Sequence, residues 1–269
     1  MTGSPSLPNM PEWMKDDGPY GVPELSDYDT ACLVLSDLDY HTQLMTIHSL
    51  LRQHRDTDRA LQEEIKRIEE FARQTSGYRN EQAVDEWIDR LHSSVYQDAA
   101  HSMAAVGMLA PFLESLFHQA FEGIRSQFYR SECSQSEAGR LEQPGRKRWD
   151  CHFVWIDGRW SKNLSDGIVQ LVAVVGLSPY LPEGLEPMLR ALFYYRNRMF
   201  HCGFEWPVAE RECFERRIKQ EWPSDWFAKA THDERPWVFY MTDVFIQHCL
   251  KVIEQVIAGI GRFCKDRCE

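Results

Sequence analysis

The sequence has no CxxC pair, although it carries eight cysteines, at positions 32, 133, 151, 202, 213, 249, 264 and 268. Cys264 and Cys268 stand four apart, too few ligands for a zinc site unless His248 or another chain joins them. The cysteines therefore read as reduced thiols packing as small apolar groups. The chain also lacks an excess of positive charge. Its 30 basic residues face 41 acidic ones, a formal charge of −11. Such a field keeps a protein soluble and repels nucleic acid, so any nucleic-acid chemistry has to come from a local basic patch. Long apolar runs are missing as well. The longest, "IVQLVAVVGL" (168–177), is too short to cross a bilayer. The first residues, "MTGSPSLPNMPEWMKDDGPYGVPEL", have no basic segment followed by an apolar one, so no signal peptide is expected. These absences point to a soluble, cytoplasmic protein without membrane contact.

What is present is aromatic weight and helical periodicity. Fourteen Phe, nine Trp and ten Tyr in 269 residues are ample for a packed core. Residues 1–26, rich in Pro, Gly and Ser, are expected to form a disordered or extended tail. From 27 to 98 apolar residues recur at three- and four-residue spacing, which predicts a helical extension broken at "TSGYRN". The stretch 98–130 predicts the most apolar long helix, with Leu109, Phe112, Leu113, Leu116, Phe117 and Phe121 on its stripe and Pro111 as a kink point. Glu114 falls within that stripe. A carboxylate among Leu and Phe has to be paired, flanking or functional. Residues 131–165 lose the helical period and read as an insertion, with a small β-hairpin centred on Asp157-Gly158. A short buried helix follows, with Ser165 as its N-cap. "LEPMLRALFYYRNRMFHCG" then predicts a helix that stops at Gly203, and "VAERECFERRIKQEW" another. "PSDWFAKATHDERP" reads as a loop, and residues 237–264 as one final long helix. The fold class is all-α.

The helix ending in "RNRMFH" carries the chemistry. Arg196 and Asn197 precede His201 by five and four residues, about 140° and 40° of rotation on an ideal helix. Histidine exchanges protons near neutral pH, arginine matches a phosphate, and asparagine can orient either. The trio suits metal-free RNA cleavage, in which a 2′-OH attacks the neighbouring phosphorus. It lacks the clustered carboxylates that hold Mg²⁺, so no metal or cofactor is expected. The competing reading is a helix C-terminus where cations complement the dipole, which Arg190 and Arg198 would fit equally well. A second spacing, Arg146 to His152, lies off any helix pattern and is set aside.

The form R-N-x3-H, at the end of an apolar helix and downstream of the Glu-bearing helix "LAPFLESLFHQAF", resembles the HEPN superfamily (higher eukaryotes and prokaryotes nucleotide-binding). The resemblance covers roughly residues 99–269 and rests on a short motif with its context. It implies a HEPN-like helical bundle with the insertion at 131–165 and the N-terminal extension outside it. It also implies a metal-independent endoribonuclease of a toxin–antitoxin or antiviral defence system, acting as a homodimer on RNA and held by a cognate antitoxin or regulatory protein. Carried over by position, His201 is the general acid or base, Arg196 stabilises the phosphate, Asn197 orients, and Glu114 is an auxiliary acidic residue. Arg198 is a candidate phosphate contact and Tyr195 a candidate base-stacking residue, although Tyr194 and Tyr195 fit a core pattern too. The basic cluster "GRKRW" (145–149) is either an RNA backbone contact or a solvated loop. His41, His48, His54, His92 and His101 have no ligand spacing and no assigned role. The alternatives are a non-catalytic HEPN-like nucleotide- or protein-binding module, or a helical scaffold.

Overall fold

The computed structural model describes residues 25–37, 39–129 and 139–268. The expected tail at 1–26 lies outside them except for its last two residues. Among the described residues are seven α-helices and two small antiparallel hairpins, so the chain is mainly helical. In order they are α1 (Asp27–Ala31), α2 (Tyr40–Gln74), α3 (Tyr78–Phe128), β1 (Phe153–Ile156), β2 (Arg159–Lys162), α4 (Leu164–Val174), α5 (Leu185–Cys202), α6 (Val208–Glu221), β3 (Phe227–His232), β4 (Arg235–Met241) and α7 (Asp243–Cys268).

The break expected at "TSGYRN" (75–80) is real but shorter, confined to Thr75–Gly77 because α3 already begins at Tyr78, and it turns α2 back along α3. α3 is a single 51-residue helix that continues through Pro111 and through the expected boundary between residues 98 and 99. Its apolar stripe from Ala99 to Ile124 is buried and packs with α5 and α7 around one core. α3 and α7 are each long and apolar enough to cross a bilayer, but half or more of each apolar window is buried in this fold, 50% and 61%, as for core helices.

The hairpin β1–β2 forms where expected. Asp157 and Gly158 take the positive φ values of 49° and 76° that a two-residue hairpin turn requires. Two expectations are corrected. α4 is capped by Asn163, whose side chain accepts from the Asp166 N–H at 3.2 Å, and not by Ser165. Residues 227–241 are not loop and helix but a second hairpin, paired from Phe227–Met241 to His232–Arg235. Its turn residues Asp233 and Glu234 adopt φ of 49° and 63°, so a tight turn forms without the glycine that marks one in sequence. The final helix therefore starts at Asp243, after β4.

The second hairpin has a clear anchor. Phe214 of α6 is fully buried and contacts the rings of Tyr194, Tyr195, Trp206, Trp222, Phe227 and Phe239 at centroid distances of 4.9–5.9 Å. This aromatic cluster fixes α6 and β3–β4 against α5. α5 itself ends as expected: Gly203, at φ 71°, donates its N–H to the Met199 carbonyl at 3.0 Å.

Candidate functional site

α3, α5 and the 150–165 segment meet at an open cleft of about 590 Å³. From α3 comes Glu114. The segment before β1 supplies His152, β2 supplies Lys162, and the α4 cap supplies Asn163. α5 contributes Arg190, Arg196 and Asn197, and α6 contributes Arg217. Glu114, Arg196 and Asn197, three of the residues singled out in sequence, thus share one cleft despite their separation along the chain.

The lining is strongly cationic for a protein of net charge −11. Four of its side chains are Lys or Arg and one is a carboxylate. Arg190 is held by Asp166 at 2.7 Å and Glu186 at 3.0 Å. Arg217 pairs with Glu221 at 3.1 Å and lies over the Tyr194 ring at 4.5 Å. Lys162 and Arg196 have no carboxylate partner among the described residues. Arg196 donates to Asn197 Oδ1 at 3.2 Å and lies 6.0 Å from the Phe200 ring. Two uncompensated cations beside one carboxylate favour an anion.

That carboxylate is already engaged. Glu114 Oε1 lies 2.8 Å from His152 Nε2, and His152 Nδ1 lies 2.7 Å from Asp150 Oδ1. All three side chains are about one-third exposed, at 32–35%. Burial works to lower the His152 pKa, but hydrogen bonds and charge from Glu114 and Asp150 outweigh it and hold the imidazole above its ordinary value. Asp150 is in turn held below the usual carboxylate range. Burial opposes this, and the His152 backbone N–H and ring prevail.

The segment carrying His152 is fixed from two sides. Arg140 is completely buried, and its guanidinium donates to the carbonyls of Arg148, Phe153 and Asp150 and to Gln170 Oε1, all at 2.6–2.9 Å. Burial lowers its pKa to about 10, which leaves it charged at neutral pH. On the other side Gly167 of α4 packs directly against the Cys151 and Phe153 carbonyls. The "GRKRW" cluster is part of this framework. Trp149 is buried, Lys147 lies 4.7 Å over the Phe153 ring, and Arg148 donates to the Leu141 carbonyl at 3.2 Å.

His201, Arg198 and Tyr195 do not line the cleft. His201 is exposed in the last turn of α5, makes no hydrogen bond or ion pair among the described residues, and does not line the cleft. Asn197 bonds to Arg196 rather than to His201. Arg198 is tied to Glu210 at 2.9 Å and to the Tyr194 hydroxyl at 3.3 Å. Tyr195 is corrected outright. It is completely buried within the Phe214 cluster with its hydroxyl donating to the Phe239 carbonyl at 3.0 Å, so no base can stack on it. Sequence reading missed His152, and its one signal was the Arg146–His152 spacing that was set aside.

Asp150, Cys151 and His152 offer ligand atoms within 4.8 Å of one another. Metal ligation by Cys151 would need a thiolate, yet burial pushes that thiol up to about 12. The donor set therefore fits a metal ion poorly.

Comparison with protein-family models, with curated proteins and with solved structures finds no match for this chain.

Proposed function

We propose that the protein is a metal-independent endoribonuclease of the HEPN type, which cleaves RNA by attack of a 2′-OH on the adjacent phosphorus. The observation that carries this reading is the convergence of Arg196, Asn197 and Glu114 on one cleft with a surplus of cations. In it Arg196 neutralises the phosphate as charge builds on its oxygens, Lys162 and Arg217 hold the flanking backbone, and Asn197 fixes the Arg196 guanidinium. His201, free at the end of the same helix, takes up the 2′-OH proton. Two copies of the chain joined through the ends of α5 would bring a second His201 toward each cleft, so the active form is a homodimer. We place the enzyme in the cytoplasm, in a toxin–antitoxin or antiviral defence system with a cognate antitoxin or regulator.

One observation favours a second reading. His201 stands outside the cleft that holds Arg196. If no second copy completes it, the same cleft serves a non-catalytic module that binds nucleotides or a partner protein. Incubation of total RNA with the protein in EDTA separates the two. Catalysis predicts cleavage that leaves 2′,3′-cyclic phosphate ends and is abolished in Arg196→Ala and His201→Ala. Binding without cleavage favours the module, and cleavage that requires Mg²⁺ or survives both substitutions removes the mechanism.

A further inference from the structure

Cleavage by a 2′-OH needs two proton transfers. One group removes the proton of the attacking hydroxyl, and another protonates the departing 5′-oxygen, a poor leaving group as an alkoxide. The motif on α5 offers one histidine. The cleft contains another, in a geometry that suits the second task.

We propose that His152 is a catalytic residue of this cleft, the general acid that protonates the leaving 5′-oxygen. This inference rests on the ribonuclease reading above. Asp150 accepts the Nδ1 proton of the ring and so fixes which nitrogen turns to the cleft. That nitrogen is Nε2, and its proton rests on Glu114 Oε1, on a residue that lines the cleft. The proton is therefore held by a second carboxylate. Two anions on one imidazole favour its charged form, which is the form a general acid needs before reaction.

Other charges around the ring act the opposite way. The ring of His118 of α3 lies 6.4 Å from that of His152, and Lys162, Arg190, Arg196 and Arg217 line the same cleft. A cation there disfavours the imidazolium. The direct hydrogen bonds of Glu114 and Asp150 prevail over this as well as over burial, because they act at contact distance. A bound phosphodiester would neutralise Lys162 and Arg196 and strengthen the charged form further.

The step balances as follows. The 2′-oxygen loses its proton to the base, and the 2′-O–P bond forms. The P–O5′ bond breaks, and its electron pair takes the proton from His152 Nε2. The products are a 2′,3′-cyclic phosphate, a 5′-hydroxyl and a neutral His152, which is recharged from solvent.

The test compares two substrates with His152→Gln and Asp150→Asn. One substrate is RNA. The other is a uridine 3′-(p-nitrophenyl phosphate), whose phenolate leaves without a proton. For a general acid, His152→Gln lowers RNA cleavage by about 10²–10⁴-fold and lowers p-nitrophenol release by less than about tenfold, since only the protonation step is lost. The alkaline limb of the wild-type pH–rate profile disappears in His152→Gln and moves to lower pH in Asp150→Asn, which is the check should the Gln variant not fold. Equal losses on both substrates, or unchanged RNA cleavage by His152→Gln, overturn the assignment while leaving the ribonuclease standing. Wild type that cleaves neither substrate overturns both.

Discussion

Replacing Gly167 with alanine tests how the cleft is held together. Gly167 lies in the first turns of α4, a helix where alanine normally stabilises by about 1 kcal/mol relative to glycine. The structure places a different demand on it. A Cβ at this position would lie 2.1 Å from the Cys151 carbonyl oxygen and 2.7 Å from that of Phe153. Both atoms are backbone and flank His152, so no side-chain rotation relieves the clash. Restoring an ordinary contact of 3.4 Å to the Cys151 oxygen alone requires a shift of about 1.3 Å. Overpacking costs about 1–3 kcal/mol, and a clash of this depth against two backbone atoms falls in the upper part of that range, about 2–3 kcal/mol, which exceeds the gain in helix propensity. The expected net loss is about 1–2 kcal/mol, or roughly 3–6 °C in melting temperature for a chain of this size. The displacement also parts His152 from Glu114 or Asp150, whose bonds at 2.7–2.8 Å tolerate no such movement. The His152 imidazole, followed by NMR, should then titrate closer to its ordinary value of about 6.5. Gly107→Ala is the control. Its Cβ would meet only Phe200 Cζ at 3.5 Å, so propensity alone should stabilise that variant by up to about 1 kcal/mol. A Gly167→Ala protein as stable as wild type or more so, with His152 titrating unchanged, refutes the close approach and the framework built on it.

The buried Arg140 should resist even conservative exchange. Arg140→Lys keeps the charge but cannot reach the five acceptors that the guanidinium serves, and should cost about 2–4 kcal/mol in urea unfolding; a loss under 1 kcal/mol would count against its role. Asp98 predicts a pH-dependent variant. Burial, reinforced by Asp58, raises its pKa from 3.8 to about 6. A carboxyl raised in the folded state stabilises fully below its unfolded pKa, and that contribution is lost as pH climbs through about 6. Asp98→Asn should therefore exceed wild type in stability at pH 8 by about 1–2 kcal/mol, less than the full shift because solvent screens a partly exposed carboxyl, and lose that advantage near pH 4; a difference that does not vary with pH would disprove it. Tyr195→Phe should cost about 1 kcal/mol, from the lost bond to the Phe239 carbonyl, and leave RNA affinity unchanged in a filter-binding assay.

Helices were legible in the sequence wherever one apolar stripe met one face of the core. α2, α3, α5 and α6 follow from three- and four-residue spacing, and Gly203 and Asp157-Gly158 mark a helix end and a hairpin by backbone conformations that glycine permits. The hairpin β3–β4 was illegible for a specific reason. Its turn is Asp233-Glu234, two residues with side chains held at positive φ, and its second strand runs into α7 as one apolar run from Trp237. Its identity is decided by Phe214 and its ring of aromatics, a tertiary arrangement that no local window contains.

The site divides the same way. Glu114 was legible because a carboxylate inside a Leu/Phe stripe is an anomaly that helical periodicity exposes. Arg196 and Asn197 were legible because they interrupt such a stripe. His152 lies in an irregular segment, where periodicity says nothing, and reaches Glu114 only because Arg140 and Gly167 set the path of residues 147–153. The overall charge misled in a related way. A value of −11 argues against an anionic ligand only if charge is spread evenly, yet here the carboxylates near the cleft are largely spent on partners: Asp166 and Glu186 on Arg190, Glu221 on Arg217, Asp150 and Glu114 on His152. The cations left over, Lys162 and Arg196, stand inside a concave surface. Contact with a phosphate there is governed by these nearest charges, because salt screens the rest of the acidic surface beyond about 8 Å. Binding of a short RNA should accordingly weaken with rising salt, and Lys162→Ala with Arg196→Ala should reduce the steepness of that dependence.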